Sequence, residues 1–344
     1  MAMDRVKVGL IGFGLAGSVF HAPLLMAEPR MRLTAIATSR ALPTDYASLR
    51  AYPNPKHLIA SDEVDLIVIA TPNETHAPLA EAALEAGKHV VIDKPFAIDV
   101  KDADKLMALA TRQERLLSVF HNRRWDGNFL TARAALARGD IGEINYCEIH
   151  FDRFRPVAKT GWRETNQPGS GVLYDLGPHL IDQALCLFGV PEAVIADVAA
   201  QRDGVVADDY FHLQLIYKHS LRVVLHASCL VFHDGPRLVA HGNKGSLVVH
   251  GLDGQEAALA AGARPGDPSW GTTDAVSVFV IDESGRHDVP VVPGAYEQYY
   301  RSIAEAILEG QKPAVTAKQA RDVMAVLDAA RQSAAEHRWV SPVR

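Results

Sequence analysis

Only three cysteines occur among the 344 residues, and no apolar run approaches the roughly 20 residues that a membrane-spanning helix needs. The first shortage excludes a disulfide framework. Cys147, Cys186 and Cys229 lie scattered among apolar neighbours and read as reduced core thiols, without the spacing of a metal site, so no metal is expected. The second excludes a membrane partner. Positive charge is in short supply too: 35 Lys and Arg face 41 Asp and Glu, a net charge of −6. That leaves no basic footprint for nucleic acid, and Arg123-Arg124 is too short a run to make one. Repeats and low-complexity tracts are absent. Residues 1–5 pass straight into an apolar run and leave no room for a signal peptide, which, with the reduced thiols, predicts a cytoplasmic protein. What remains is an ordinary globular composition, 48% hydrophobic and 22% charged, on a chain too long for one core.

The most informative stretch is the first. Residues 6–11 are apolar and fit a buried strand, and they run into Gly12-Phe13-Gly14-Leu15-Ala16-Gly17. Residues 19–26 then continue as a helix with an apolar face, Pro23 falling in its first turns. In the spacing G-x-G-x-x-G each glycine has a task. Gly12 permits the tight turn, Gly14 lets the backbone approach a pyrophosphate, and Gly17 lets helix pack close on strand. The helix start adds free N–H groups and the positive end of a dipole. A dinucleotide site is expected, a purely structural turn being the alternative.

One further shortage refines it. A second strand over 32–38 ends where an acidic side chain holds the ribose hydroxyls of NAD, and no acid stands there. The residues are Thr38, Ser39 and Arg40. Two hydroxyls and a guanidinium suit a 2′-phosphate, because Arg pairs with it through two charge-assisted hydrogen bonds. The pattern favours NADP, with NAD as the alternative if Arg40 is only a solvated loop residue.

Later strands end in polar clusters. Residues 64–70 lead to Thr71-Pro72-Asn73 and His76, cofactor neighbours by position, although His76 also reads as a plain helix-start residue. A helix over 79–86 follows, closed by Gly87. Residues 89–92 lead to Asp93-Lys94-Pro95, which puts an ammonium at a central strand tip, beside the nicotinamide position. An X-Pro bond such as Lys94–Pro95 can be cis. Residues 116–120 lead to His121-Asn122-Arg123-Arg124-Trp125, where the first domain ends. We expect an α/β architecture: a doubly wound parallel NAD(P)-binding Rossmann sheet over 1–122, then an α+β domain over 123–344 with a large, mostly antiparallel sheet.

The order GFGLAG, TPNETH, DKP, HNRRW and YDLGPHLID resembles the Gfo/Idh/MocA family, named for glucose–fructose oxidoreductase, inositol dehydrogenase and a rhizopine-catabolism protein. The likeness spans the whole chain. HNRRW and FDRFRP are most similar to the inositol-dehydrogenase-related branch, which includes NADP-dependent scyllo-inositol 2-dehydrogenases. The family's commoner motif is Glu-Lys-Pro; Asp93 here is one methylene shorter, while the lysine is retained.

The second domain opens with a helix over 129–137 and a strand over 143–155 with unlike faces. Its charged end, Asp152-Arg153-Phe154-Arg155, reads either as a substrate rim or as a solvated edge. Residues 159–171, with Trp162, are long enough for a lid. Gly177-Pro178 fits a helix start, with Asp175 just before it, His179 in its first turn and Asp182 one turn beyond the imidazole. Strands over 192–201, 208–217, 221–230, 237–241 and 246–249 follow, Gly242-Asn243-Lys244-Gly245 marking a hairpin. A surface excursion over 252–273, strands over 276–281 and 287–292, and helices over 296–308 and 318–335 complete the chain.

The resemblance implies reversible oxidation of a secondary alcohol on a cyclic polyol or sugar, of the scyllo-inositol type, by a homodimer or homotetramer. His179 is the expected general base, because an imidazole titrates near neutral pH. Lys94 is expected to hold the reacting oxygen, and Asp175 to bind a hydroxyl and tune both. Arg123, Asp152, Phe154 and Trp162 are the expected substrate contacts. The alternatives are an aldose or anhydro-keto-sugar dehydrogenase or reductase, and a non-catalytic NADP-binding sensor.

Overall fold

The computed structural model describes residues 5–158, 161–165 and 167–343. Residues 1–4, on which the reading of a missing signal peptide rests, and Lys159, Thr160 and Asn166 of the expected lid lie outside the described residues.

The first third of the chain runs β1 (Val6–Ile11), α1 (Ala22–Ala27), β2 (Met31–Ala37), β3 (Arg50–Tyr52), α2 (Pro55–Ile59), β4 (Leu66–Ile69), α3 (His76–Glu85), β5 (His89–Ile92), α4 (Val100–Arg112) and β6 (Leu117–Val119). Then come α5 (Gly127–Arg138), β7 (Ile144–His150), α6 (Val172–Phe188), β8 (Ala193–Ala199), β9 (Tyr210–Ile216), β10 (Arg222–Ser228), β11 (Leu238–Gly242) and β12 (Ser246–His250). The last elements are α7 (Gln255–Ala260), β13 (Ser277–Asp282), β14 (Gly285–Asp288), α8 (Glu297–Glu309) and α9 (Ala317–Glu336).

Two compact units result. One holds residues 1–122, 255–270 and 295–321; the other holds 123–254, 271–294 and 322–344. A division at 122/123 by position alone therefore leaves out two segments that return to the first unit. The expected surface excursion over 252–273 is one of them. It carries α7, with Gln255 and Leu259 buried, and Gln255 Oε1 accepts the Tyr296 N–H at 2.8 Å. A buried amide with a backbone partner fixes the return, and no local pattern announces it.

The first unit contains a six-stranded parallel sheet in the order β3-β2-β1-β4-β5-β6. Its central strands are apolar on both faces, as a sheet covered on both sides requires: all of Leu66–Ile69 is buried. The order reverses between β1 and β4, which makes their carboxyl ends the switch point where doubly wound sheets bind ligands. The returning α8 is core here. Tyr299 and Tyr300 are fully buried; the Tyr299 hydroxyl meets Ser118 Oγ at 2.9 Å, and the Tyr300 hydroxyl meets His21 Nδ1 at 2.6 Å.

The second unit contains an eight-stranded sheet in the order β14-β13-β12-β11-β7-β10-β9-β8, antiparallel throughout except for β7 beside β10. Strand alternation gives it two unlike faces. Cys147, Ile149 and Phe151 are buried, on the face where α6 packs, while Tyr146, Glu148, His150 and Asp152 stand on the other. The expected strand over 143–155 is shorter in fact, with Phe154 joined to Leu230 by an isolated bridge. β14 ends at Asp288 rather than at 292, because Pro290 has no N–H for a ladder.

The helix expected to begin at Gly177-Pro178 begins at Val172, and Pro178 lies inside it. The cap comes from a distant segment. Asp208 O accepts the Val172 N–H at 2.8 Å, and Asp208 Oδ2 accepts the Leu173 N–H at 2.6 Å. Two first-turn donors are satisfied, so the helix starts earlier than its own sequence indicates. Asp175 is therefore in the first turn, and His179 one turn later on the same face.

Candidate active site

At the tip of β1 the chain turns through the glycines. A Cβ on Gly12, whose φ is +95°, would stand 2.3 Å from Ala70 O at the end of β4; one on Gly17 would stand 2.1 Å from Gly12 O. No side chain fits either position. Gly14 differs: a Cβ there would meet nothing within 4 Å. Its bare backbone faces open space, a cradle of the kind a pyrophosphate requires, so the loop fits a dinucleotide. The loop is pinned from behind, since Ser18 N and Oγ both donate to Gly14 O, at 2.9 and 2.8 Å. Phe13 turns its ring into the core, edge-on to Tyr46 at 5.1 Å, which leaves only its backbone for a ligand. Leu15 is exposed, and Ala16 opens a π-helical turn, Ala16–His21, that runs into α1.

Beyond β2, Thr38 N donates to Tyr52 O at 3.0 Å, and Thr38 Oγ1 accepts the Arg40 N–H at 3.1 Å. This small turn leaves the side chains of Ser39 and Arg40 exposed. Beyond β4, Thr71 Oγ1 meets Thr75 Oγ1 at 2.6 Å, Asn73 is buried and Pro72 is exposed. His76 is fully buried, its ring spanning Pro95 O at 2.8 Å and Thr71 O at 2.9 Å. The imidazole thus braces the tips of β4 and β5 against each other. Burial lowers its pKa, against the backbone contacts that favour the cation.

Beyond β5, Asp93 Oδ1 accepts the Lys94 N–H at 2.9 Å and lies 3.7 Å from His21 Nε2, an ion-pair distance. Burial works to raise the Asp93 pKa, but His21, then Lys94, hold it below the usual carboxylate range. The buried Tyr300 and His21 thus lead to the half-buried Asp93, which precedes Lys94 in the chain. The Lys94–Pro95 peptide is cis. Asn122, at the end of the unit's first segment, is buried.

In the second unit a small cleft is lined by Arg123, Phe129, Phe151, His179, Gln183 and Arg237. Arg123 donates to Asp126 at 3.3 Å. Both Asp182 oxygens accept from Arg124, at 2.8 and 2.6 Å, which anchors α6 one turn past His179. Three guanidiniums gather on the Phe151 ring: Arg237 at 3.8 Å, Arg153 at 4.8 Å and Arg123 at 4.9 Å. Burial, then Arg123, push the Arg237 pKa down to about 10. Asp175 pairs with Arg163 at 3.4 Å and Arg153 at 3.6 Å.

Of the expected substrate contacts, Arg123 reaches this cleft beside His179. Trp162 stacks under Arg163 at 4.5 Å, and so lies beside the partner of Asp175. Asp152 and Phe154 are not brought to the cleft. Asp152 stands on the opposite face of its strand from Phe151 and accepts the Ser228 N–H at 3.0 Å; Phe154 packs its exposed ring on Phe232 at 4.8 Å. Sequence reasoning missed Arg153, Arg163 and Arg237 as partners. The period-two alternation of FDRFRP was the available signal, since it sets Phe151 apart from Asp152.

Comparison with known proteins gives two family matches: the Gfo/Idh/MocA oxidoreductase family's NAD-binding Rossmann fold over residues 6–121, and its C-terminal alpha/beta domain over residues 133–341. The chain is 46% identical to the uncharacterized oxidoreductase YdgJ of Escherichia coli, over 97% of this chain and 98% of that one. It is 38% identical to scyllo-inositol 2-dehydrogenase (NADP(+)) IolW of Bacillus subtilis, over 98% of this chain and 96% of that one. The solved structure of yvaA of Bacillus subtilis matches with a TM-score of 0.94 at 38% identity, covering 99% of each chain.

Proposed function

The chain belongs to the Gfo/Idh/MocA family of oxidoreductases, and from that premise we propose that it is an NADP-dependent dehydrogenase of a cyclic polyol, of the scyllo-inositol type. What supports the substrate class is the 38% identity to the scyllo-inositol enzyme along nearly the whole of both chains. The cofactor preference is supported by the turn after β2, which offers Thr38, Ser39 and Arg40 where an NAD site carries an acid.

Bound NADP supplies the carrier for the substrate's hydride. The bare backbone at Gly12-Phe13-Gly14-Leu15-Ala16-Gly17 takes the pyrophosphate, and Arg40 pairs with the 2′-phosphate. Thr71, Pro72, Asn73 and Asn122 line the cofactor, while Asp93 and His76 hold the backbone on either side of Lys94. His179 removes the hydroxyl proton at its imidazole. Lys94 stabilises the negative charge that develops on the same oxygen. Asp175, ordered by Arg153 and Arg163, binds a neighbouring hydroxyl.

Initial rates with NADP+ and NAD+ across the inositol isomers and common aldoses test this reading. The expected result is fastest turnover of scyllo-inositol with NADP+. Faster turnover of an aldose or an anhydro-keto sugar replaces the substrate class. Tight NADPH binding with no turnover of any of them leaves a sensor.

A further inference from the structure

The face of the eight-stranded sheet turned away from α6 carries a row of histidines that the reaction does not use. His150 on β7, His226 on β10 and His212 on β9 are register partners across three adjacent strands. The rings of His150 and His226 lie 5.2 Å apart, and those of His226 and His212 lie 5.8 Å apart. Asp152, two residues past His150, points to the same face, and its carboxylate sits between two of the imidazoles. Asp152 Oδ2 is 3.3 Å from His150 Nδ1, and Asp152 Oδ1 is 3.3 Å from His226 Nε2. The other nitrogen of His150 lies 2.9 Å from Glu148 Oε2. His226 Nδ1 is buried and has no hydrogen-bond partner among the described residues.

A neutral imidazole has one N–H, yet both nitrogens of His150 face carboxylates. With its N–H given to Glu148, the ring turns the lone pair of Nδ1 toward Asp152, where an ion can sit. At 3.3 Å both contacts to Asp152 are longer than the usual 2.9 Å hydrogen bond. They fall on two different oxygens of Asp152, so the carboxylate faces both imidazoles and can meet an ion between them through either oxygen. The candidate ligand atoms all lie within 4.8 Å of one another. Glu148 occupies the place of the carboxylate that orients a metal-bound histidine through its second nitrogen. Glu148 is held in turn by the Tyr146 hydroxyl at 2.5 Å.

We propose that His150, His226 and Asp152 bind a divalent transition-metal ion, of the zinc type, on this face of the sheet, with Glu148 orienting His150. Three protein ligands leave a fourth position for water. The ion ties β7 to β10, the one parallel pair of the sheet, and compensates the charges of Asp152 and Glu148.

The test uses the full-length protein, stripped with a chelator and titrated with Zn2+ by calorimetry, then with Co2+ by visible absorption. The expected result is one Zn2+ per chain, the strong d–d absorption of tetrahedral Co2+, and a melting temperature that rises with Zn2+. His226→Gln lowers the affinity at least tenfold, with circular dichroism and NADPH binding unchanged. Glu148→Gln, outside the ligand set, lowers it by about 10–100-fold, and it decides the matter if H226Q does not fold. Absence of saturable Zn2+ binding to the wild-type protein overturns the proposal and leaves a doubly protonated His150. Binding that survives both substitutions, or that disappears only on alkylation of the cysteines, overturns it as well.

Discussion

The two units build their candidate sites in opposite ways. In the six-stranded unit the surface proposed for the dinucleotide is backbone: bare glycine peptides at the tip of β1, framed by the tips of β4 and β5, with side chains such as His76 and His21 used as braces behind it. In the eight-stranded unit the candidate surfaces are made of side chains. One face holds His179, Arg123 and the arginines on Phe151, and the other holds the histidine row. Backbone sites depend on local spacing. Side-chain sites depend on which distant strands become neighbours, and on a period of two that sends adjacent residues to opposite faces.

The comparison can be broken at four points. Lys94→Ala and His179→Ala remove the groups proposed to hold the oxyanion and to take the proton, and each should reduce turnover at least ~10²-fold while NADPH binding survives. Steady-state rates alongside NADPH fluorescence titration check this, and near-normal turnover of either variant removes the assignment.

Next is the contrast between two glycines in one loop. Gly12→Ala forces an alanine to a φ of +95° and its Cβ to 2.3 Å from Ala70 O. Positive φ alone costs about 1–3 kcal/mol, so denaturant unfolding should show a loss of at least about 2 kcal/mol. Gly14→Ala has room for its methyl and should fold like the parent, yet bind NADPH more weakly, because the methyl stands where the backbone must approach the pyrophosphate. Equal stability of the two variants would undo the distinction between turn glycine and cradle glycine.

A smaller effect is expected at Arg40. Hydrogen bonds to charged groups contribute about 1.5–3 kcal/mol, so Arg40→Ala should weaken NADPH binding at least about tenfold and leave NADH binding unchanged. Parallel weakening of both cofactors would return Arg40 to a solvated loop.

The smallest concerns the cap of α6. Burial pushes the Asp208 carboxyl up to about 6, against its N–H contact from Leu173. A folded-state pKa above the unfolded value means that the folded form binds the extra proton. The contribution is therefore present at low pH and is lost as pH rises from about 4 through about 6. Asp208→Asn keeps an acceptor for Leu173 and removes the charge. It should flatten stability across that window and leave the protein about 1 kcal/mol more stable at pH 8, as read from melting curves between pH 4 and 8. A steeper pH dependence in the variant would refute this account of the cap.

What was legible in the sequence follows the same division. The Rossmann sheet, its strand tips, the retained Lys94 and the family were readable because glycine spacing and apolar runs are local. The large, mostly antiparallel sheet was readable from consecutive strands. The start of α6 was not, because Asp208 supplies its cap from a later loop. Nor was the return of α7 and α8 to the first unit, which depends on Gln255 and the buried tyrosines. Asp152 reads with Arg153, Phe154 and Arg155 either as a substrate rim or as a solvated edge, and alternation sends it to the face opposite Phe151.

The most direct measurement of the central claim is isotopic. Wild-type protein is incubated with NADP+ and scyllo-inositol deuterated at every ring carbon, and the nucleotide is examined by mass spectrometry and proton NMR. The account predicts one deuterium delivered to the nicotinamide ring, with slower turnover than for the protiated polyol. NADP+ that stays unreduced with every inositol isomer, in protein that binds NADPH, would contradict it.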